Sequence, residues 1–405
     1  MEAIAVRHGS VKDLEVFAES GSESLGLADM VFRPSYSIFD LKRMPDLIPG
    51  RESQAVMTAF NFERLENSRV PTQYLGVVNR DGNVVSLDQM QEPPTRMRVK
   101  LAAIREPEVR IADGTLTFSY EFFEQSRGML NNIGTPIEWI YRNGLPQGSS
   151  VLRNLERAME KGDVEYVERM LRRLGLEEYL SPLRVPPPNI MLPRPYGNFT
   201  TKYEPLGDRG LGDDYDVSEA IKSGDYSKSE AVRISGLTLE QFDEMVKVRD
   251  RVAQVIKKRG EEVGITDWDG KLEFAWAYGP MVIDAVGTPD ENRLFHNDKQ
   301  VSKEVARQLY DVVQPELRKD IERAQKQAAE DAVRTGRLRN WREYLTVDVA
   351  PLDAISPYLK PLVGEMHMAL ANQWTGIPFY NVRPLGVVMQ ELNGAVADVT
   401  ARYRR

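Results

Sequence analysis

The sequence predicts an α+β protein built mainly from antiparallel sheet, with a helical C-terminal region. Three observations carry this reading. Short apolar runs joined by turn residues follow one another along the first part of the chain, as in hairpins and meanders. Helical periodicity is confined to segments set apart from them. Beyond about residue 315 the chain is mostly helical, chopped by Pro351, Pro357, Pro361, Pro378 and Pro384.

Composition bounds the function. At 405 residues the chain is too long for one small core, so two or three domains or subdomains are expected. Hydrophobic content of 41% and charged content of 28% are those of a soluble globular protein. A net charge of -8 argues against a dedicated nucleic-acid binder. The absence of cysteine excludes disulfides, thiolate catalysis and cysteine metal sites, and fits a cytoplasmic protein. MEAIAVRHGS has no apolar signal core and no run of 18 apolar residues exists, so no membrane partner is expected. His8, His296 and His367 show no metal-ligand spacing, so zinc chemistry is not expected either.

Taken in order, residues 4–17 read strand, glycine turn, strand. Gly9-Ser10, with Lys12 following, is a loop able to cover phosphates, although a surface hairpin is the plainer reading. Residues 27–32 form another strand. In SYSIFDLKRMPDLIPGRES, Asp40 and Asp46 read by themselves as turn-capping acids. Ser53 is placed to cap a helix to about Asn67, with Val56, Met57, Phe60 and Leu65 buried. Residues 71–78 and 96–104 read as strands, with a small hairpin at Asp81-Gly82 between them. Residues 115–125 and 137–141 follow as strands.

The second of these runs into RNGLPQGSSV. Arg142 together with Gly148, Ser149 and Ser150 at a helix N-terminus makes an anion site that suits phosphate; a helix cap beside an exposed arginine explains the same residues. Two short charged helices occupy 151–175. VPPPNIMLPRPYGNF has no regular period and reads as an extended linker or strap. Thr200-Thr201-Lys202 and acid-rich DRGLGDDYD follow. Thr238 and Gln241 form a capping box for a helix with Phe242, Met245, Val246, Val252 and Ile256 facing the core.

KLEFAWAYGPMVIDAVGTPDENR, 271–293, is the stretch around which the chain is organised. Leu272, Phe274 and Trp276 alternate with Lys271, Glu273 and Ala275, Gly279-Pro280 supplies a turn, and 281–286 returns. Pairing Tyr278 with Met281 places Ala275 opposite Asp284. Glu273 and Asp284 then become diagonal neighbours, about 7–8 Å apart at the backbone and able to share one divalent cation, for which Mg²⁺ is suited. Lys271 faces the same way, and Arg293 lies just beyond. A hairpin with one wet, charged face accounts for the same pattern.

These pieces together resemble the SAICAR synthetases, purine-pathway ligases that join L-aspartate to carboxyaminoimidazole ribotide using ATP, and in particular their longer form. The resemblance rests on GSVKDLEVF, YSIFD with MPDLIPGRE, PTQYLG, IEWIYRNGLPQGSSV, TTKYE, DGKLEFAW, VIDAVGTPDENR and NDKQVSKEV, in that order over residues 4–310. It implies a two-lobed fold with an ATP-grasp-like nucleotide cleft: an N-terminal lobe at 1–106, a larger lobe at 107–314 and a helical extension at 315–405. It implies ATP and Mg²⁺ as cofactors, and a homodimer by analogy. Gly9, Ser10 and Lys12 would lie over the ATP phosphates, with Glu273 and Asp284 as the magnesium ligands and Lys271 beside the transferred phosphoryl group. Arg142, Ser149, Ser150 and Arg293 would hold the ribotide phosphate. Asp40, Lys202, Asp214, Lys299 and Gln300 would lie on the substrate side.

The chain departs from the family in places. Ser10 stands where a second lysine is common, Asp213-Asp214 where a His-Asp pair is usual, and Ala285 where an acid commonly follows the metal aspartate. Two alternatives stay open: a sister ligase with another ribotide or amine, and a catalytically silent nucleotide-binding relative. The tail beyond residue 315 reads as a helical cap or an oligomer contact.

Overall fold

The computed structural model describes residues 2–41, 44 and 47–403, so Asp46 lies outside the described residues. Its strands are β1 (Ala5–His8), β2 (Lys12–Ala18), β3 (Gly26–Phe32), β4 (Tyr74–Val78), β5 (Val84–Val85), β6 (Arg96–Leu101), β7 (Glu108–Ala112) and β8 (Thr115–Ser119). Then come β9 (Ile133–Gly134), β10 (Ile137–Leu145), β11 (Ile190–Thr201), β12 (Gly210–Asp213), β13 (Ile265–Trp276), β14 (Pro280–Ile283), β15 (Asn292–His296) and β16 (Lys299–Gln300). The helices are α1 (Gln54–Asn67), α2 (Glu121–Gln125), α3 (Ser150–Lys161), α4 (Val164–Leu174), α5 (Asp214–Ser223), α6 (Glu230–Ile234) and α7 (Leu239–Glu262). The last five are α8 (Glu304–Val313), α9 (Glu316–Thr335), α10 (Leu352–Ile355), α11 (Leu359–Thr375) and α12 (Leu385–Tyr403).

The expected α+β architecture is what forms. Among the described residues one sheet runs β1-β2-β3-β6-β4-β5, and a second runs β12-β11-β10-β13-β15-β16, with β9 and β14 also on β13. Every named pair in both is antiparallel. Isolated bridges, Thr72 to Val282 and Ala103 to Ile133, stitch the sheets together. No helix among the described residues is long and apolar enough to cross a membrane.

β10 and β13 form the spine. On one face Trp139 packs against Phe199, Phe242 and Phe274, with ring centroids 5.3, 4.7 and 5.5 Å away. Phe242 comes from α7, whose capping box between Thr238 and Gln241 forms as read from the sequence. Strand alternation then sends Glu138, Arg142, Asp269, Lys271 and Glu273 to the opposite face. One continuous core takes in Val16 of the first sheet, Trp139 of the second, and Trp374 and Leu392 of the C-terminal helices. Trp374 Nε1 donates to Asn61 Oδ1 of α1 across 2.8 Å, so α11 packs directly against α1.

Several readings are corrected. The proline-rich segment is not a strap: residues 190–201 are strand β11, paired along β10. Its register is irregular between Arg142 and Gly144, opposite Tyr196 and Met191, so Pro193 and Pro195 fall where the ladder asks for no donor. Residues 115–125 divide into β8 and α2, and β7 was missed. Ser53 makes no cap hydrogen bond, because a 3₁₀ turn over Arg51–Ser53 leads into α1.

The hairpin register is also shifted. Ala277, Tyr278 and Gly279 form the connection, with φ of 57° at Tyr278 and 157° at Gly279. Pro280 therefore pairs with Trp276, Ala275 with Met281, and Glu273 with Ile283, not Ala275 with Asp284. A three-residue loop replaced the expected tight turn. Asp284 lies beyond the ladder at φ 65°, a left-handed kink that ends the strand.

Candidate active site

The polar face of the β11-β10-β13-β15 sheet carries a dense set of opposed charges. Lys271 Nζ lies 3.1 Å from Glu273 Oε1, 3.2 Å from Glu138 Oε1 and 3.0 Å from Glu291 Oε2. Lys202 Nζ lies 2.8 Å from Glu273 and 3.0 Å from Glu138. Glu138 also accepts from Thr200 Oγ1 at 2.9 Å. Lys12, reaching over from β2, forms an ion pair with Asp284 Oδ1. Gln73 Nε2 donates to Asp284 O at 3.1 Å and steadies the kink.

Burial opposes ionisation of Glu138, yet Lys271 and Lys202 together outweigh it and hold the carboxyl near 2. Burial likewise opposes the charge on Lys271 and Lys202, and the surrounding carboxylates overcome it and keep both protonated. Glu273 is depressed: burial acts against it, and Lys202, Lys271 and Lys12 prevail. Asp284 differs. Burial first, then the neighbouring Glu273 and Glu291 carboxylates, push it up despite Lys12. An aspartate in that position is short of positive charge, which is the condition a divalent cation would relieve.

No group of three or more His, Cys, Asp or Glu side chains among the described residues forms a metal cluster by itself. Glu273 and Asp284 still fit Mg²⁺, which is commonly held by one or two carboxylates with the rest of its shell from water and substrate phosphates. Each already accepts an ammonium group, Lys202 on Glu273 and Lys12 on Asp284, so both carboxylates have cation partners.

Along the same face lies an arginine cluster. Arg142 Nη1 and Arg293 Nη1 both donate to Asp269 Oδ2, at 2.5 and 2.6 Å. Arg142 also donates from Nε to Asn198 Oδ1 at 3.1 Å and from Nη2 to Ser150 Oγ at 3.2 Å, and Arg293 Nη2 to Gly148 O at 3.2 Å. A cavity of about 470 Å³ opens beside them, bordered by Gly148, Arg153, Arg293, Arg307 and Arg318, with Asp40 on its rim. Ser149 Oγ, Arg293 Nε, Arg307 Nε and Gln308 Nε2 are buried there without a hydrogen-bond partner. Burial, then Arg318 and Arg293, lower Arg153, a cation crowded by cations. Glu304, Asp311 and Glu322 also line the cavity, so its arginines are matched by acids, and it is the unused donors that suit a phosphate or carboxylate ligand.

Most of the residues singled out in the sequence converge here: Lys12, Arg142, Ser149, Ser150, Lys202, Lys271, Glu273, Asp284 and Arg293. Gly9 and Ser10 form the β1–β2 turn ahead of Lys12, where Gly9 N donates to Lys12 O at 3.0 Å and Ser10 O accepts from Ser35 Oγ at 2.9 Å. Asp214 does not join them. It sits on the α7 side of the sheet, accepting from Arg249 at 2.7 and 2.9 Å and from Gly197 N at 2.8 Å. A Cβ on Gly197 would come within 1.8 Å of Arg249 Nη1, so the glycine makes room for the buried guanidinium. Asp213 caps α5 and accepts from Arg173 and Tyr196. The acid that does approach the site from this loop is Asp208. Asp208 is itself exposed to solvent; desolvation by the loop packed around it, then Glu138 and Asp40, raise it to about 7, with Lys202 pulling the other way.

Lys299 is exposed on β16, and Gln300 is turned to Ser302. The lysine that reaches the charged cluster is Lys303, beside Glu291 and Asp290. Glu138, Glu291, Lys303, Asp208 and Asp269 were missed as site residues. For Glu138 the signal was available: in IEWIYR it is spaced four residues from Arg142 and shares its strand face. A further group supports the cluster from behind. Arg51 donates to both oxygens of Asp290 at 2.6 Å, and its Nη1 lies 2.9 Å from His367 Nε2 of α11. Burial, then the Arg51 charge, hold His367 down to about 3, so it is neutral.

Comparison with known proteins shows the family. A family model described as SAICAR synthetase matches residues 7–333. A chain of Archaeoglobus fulgidus, provisionally named a phosphoribosylaminoimidazole-succinocarboxamide synthase, is 32% identical over 388 residues, covering 95% of this chain and 98% of that one. The phosphoribosylaminoimidazole-succinocarboxamide synthase of Thermoplasma acidophilum is 30% identical over 128 residues, 29% of this chain and 38% of its own. Among solved structures, a SAICAR synthetase in complex with ADP superposes at a TM-score of 0.45 with 16% identity, covering 83% of this chain and 99% of that one. SAICAR synthase from Saccharomyces cerevisiae, complexed with SAICAR, superposes at 0.46 with 14% identity over 92% and 94% of the two chains. By the family model and the full-length archaeal relative, this chain belongs to the SAICAR synthetase family.

Proposed function

We propose that the chain catalyses ATP-dependent joining of L-aspartate to carboxyaminoimidazole ribotide, giving the succinocarboxamide, ADP and phosphate in purine biosynthesis. The observation that carries this reading is the continuity of two subsites on one sheet face. A lysine–carboxylate cluster suited to Mg²⁺ and a triphosphate adjoins an arginine-lined cavity suited to a second phosphate.

A carboxylate is a poor acyl donor because its leaving group would be oxide. Transfer of the γ-phosphoryl group to its oxygen releases ADP and makes phosphate the leaving group. The amine of aspartate then attacks the carbonyl carbon, the C–O bond to phosphate breaks, and the amine gives up a proton. Catalysis of this kind is mostly positioning and charge neutralisation. Mg²⁺ on Glu273 and Asp284 would draw charge from the β- and γ-phosphates. Lys12 and Lys271 shift from carboxylates to phosphate oxygens when the nucleotide arrives, and Gly9 and Ser10 cover it. Glu138 keeps Lys202 and Lys271 charged and aimed into the site. Arg142, Ser149 and Arg293 hold the ribotide phosphate. Asp208, with a pKa of about 7, accepts the amine proton near Asp40.

The reading carries with it a cytoplasmic location and a homodimer, the latter open to light scattering. Its test is a magnesium-dependent assay with ATP, L-aspartate and the ribotide, following ADP and product together. Product that requires all three supports it. ATP binding without product would sink it in favour of a sister ligase or a silent nucleotide binder.

A further inference from the structure

Leu41 N donates to Ile38 O across 3.0 Å, closing a turn whose central residues, Phe39 and Asp40, have φ of 51° and 60°. Two central residues at positive φ make a primed turn, where Asn and Gly are preferred and Phe-Asp is a poor choice. Such a conformation persists only where its surroundings over-determine it, and that condition marks functional loops.

The surroundings here come from the C-terminal region. Arg342 donates from Nε to Asp40 O across 2.9 Å, and its Nη2 reaches the same oxygen. Arg318 of α9 covers the Phe39 ring, its guanidinium carbon 3.8 Å from the centroid. Arg318 is itself gripped by both oxygens of Asp311 on α8. Neither arginine hangs free of the fold. Asp320 of α9 accepts from the backbone of Thr346 and Val347 at 2.7 and 2.9 Å, and buried Trp341 lies against Arg342. α9 also closes on the loop that carries Asp208: a Cβ on Gly207 would come within 3.0 Å of Gln325 Nε2.

The clamped turn borders the cavity. Phe39, Asp40, Arg318 and Gln325 all line it, and Asp40 is close enough to Asp208 to raise it. The Asp40 carboxylate at the rim of a cavity that arginines help to line suits a substrate that carries an ammonium group between carboxylates. We infer that Arg342 and Arg318 are positioning residues for the amine substrate, holding Asp40 in its left-handed turn so that its carboxylate faces the cavity. The stretch 316–344 is thus a wall of the substrate site. This rests on the ligase reading above.

The test uses the full-length chain with Arg342→Ala, Arg318→Ala and Arg342→Lys. Either alanine variant is expected to raise the KM for L-aspartate at least fivefold and to leave the KM for ATP within twofold. Lysine at 342, which can restore one hydrogen bond to Asp40 O, recovers part of the loss. Independently of turnover, hydrogen exchange at the Leu41 amide should quicken in both alanine variants while α9 stays protected. An unchanged KM for L-aspartate alongside faster exchange at Leu41 would overturn the positioning role. So would a fall in kcat for all substrates matched by a lower Tm, which marks a purely structural effect. A wild-type chain without turnover would refute the ligase reading instead, and unchanged Leu41 exchange in both variants would then overturn the clamp as well.

Discussion

Glu273→Gln is the substitution that separates the metal role from the structural one. Glu273 accepts two ion pairs, at 2.8 Å from Lys202 and 3.1 Å from Lys271. At an effective dielectric of about 20 each is worth about 5–6 kcal/mol before desolvation is charged against it. Breaking a buried pair from one side costs about 3–5 kcal/mol when the other charge is stranded. Here neither lysine is stranded, because Glu138 stays 3.0 Å from Lys202 and 3.2 Å from Lys271. The stability loss should therefore be about 3 kcal/mol or less.

The effect on rate should be larger. A metal ion contributes several kcal/mol of charge stabilisation in such reactions, and the substitution removes one of its two carboxylates. A loss of about 4 kcal/mol is about a thousandfold in kcat. The assay is ADP release titrated with magnesium, with a urea melt of the ligand-free protein beside it. Glu273 is depressed in the folded state. Its stabilising contribution is therefore present above the ordinary carboxylate range and lost as pH falls below it, so the two melts should converge in acid. Near-normal turnover of Glu273→Gln at saturating magnesium would refute the assignment.

Three other outcomes are expected. Asp214→Asn should weaken the fold by about 2 kcal/mol, since buried Arg249 loses one carboxylate but keeps Asp250 at 2.7 Å, yet leave the KM for every substrate unchanged; a raised KM would return Asp214 to the site. Asp208 has a pKa of about 7 and acts ionised, so kcat/KM should rise through pH 7, and Asp208→Asn should flatten that limb and lower the plateau about a hundredfold. Asp267 is raised by burial from 3.8 to about 7, despite hydrogen bonds from Asn292 and Tyr141. A raised carboxyl gives its stability below its unfolded pKa and loses it as pH rises through 7, on the order of 4 kcal/mol in all. Urea melts at pH 5 and pH 8 should show wild type losing stability relative to Asp267→Asn; parallel slopes would contradict this.

The approach of Glu273 to Asp284 was anticipated by an argument whose register was wrong. The two acids do share a charged cluster, but not as diagonal partners across a tight turn. A three-residue connection moved the ladder, and the left-handed kink at Asp284 took that side chain out of it. Parity along one strand was sounder ground. Lys271 and Glu273 had to face the same way whatever their partners, because side chains alternate on any strand. The proline-rich segment failed for the opposite reason: periodicity sees missing donors, and it cannot see a bulge that makes them unnecessary.

By itself the sequence determined the α+β class, the alternation that divides the central sheet into an aromatic face and a charged one, the capping box of α7, and most of the residues that gather on the charged face. Those features are local, set by periods of two or four residues and by the chemistry of each side chain. Only the tertiary structure decided that Asp208 and not Asp214 approaches Lys202, that Lys303 and not Lys299 reaches the carboxylates, and that arginines some 300 residues away hold the Asp40 turn. Each of these depends on where a loop leaves a sheet and what packs over it. Such placements are set by contacts between segments remote in sequence, which no local pattern encodes.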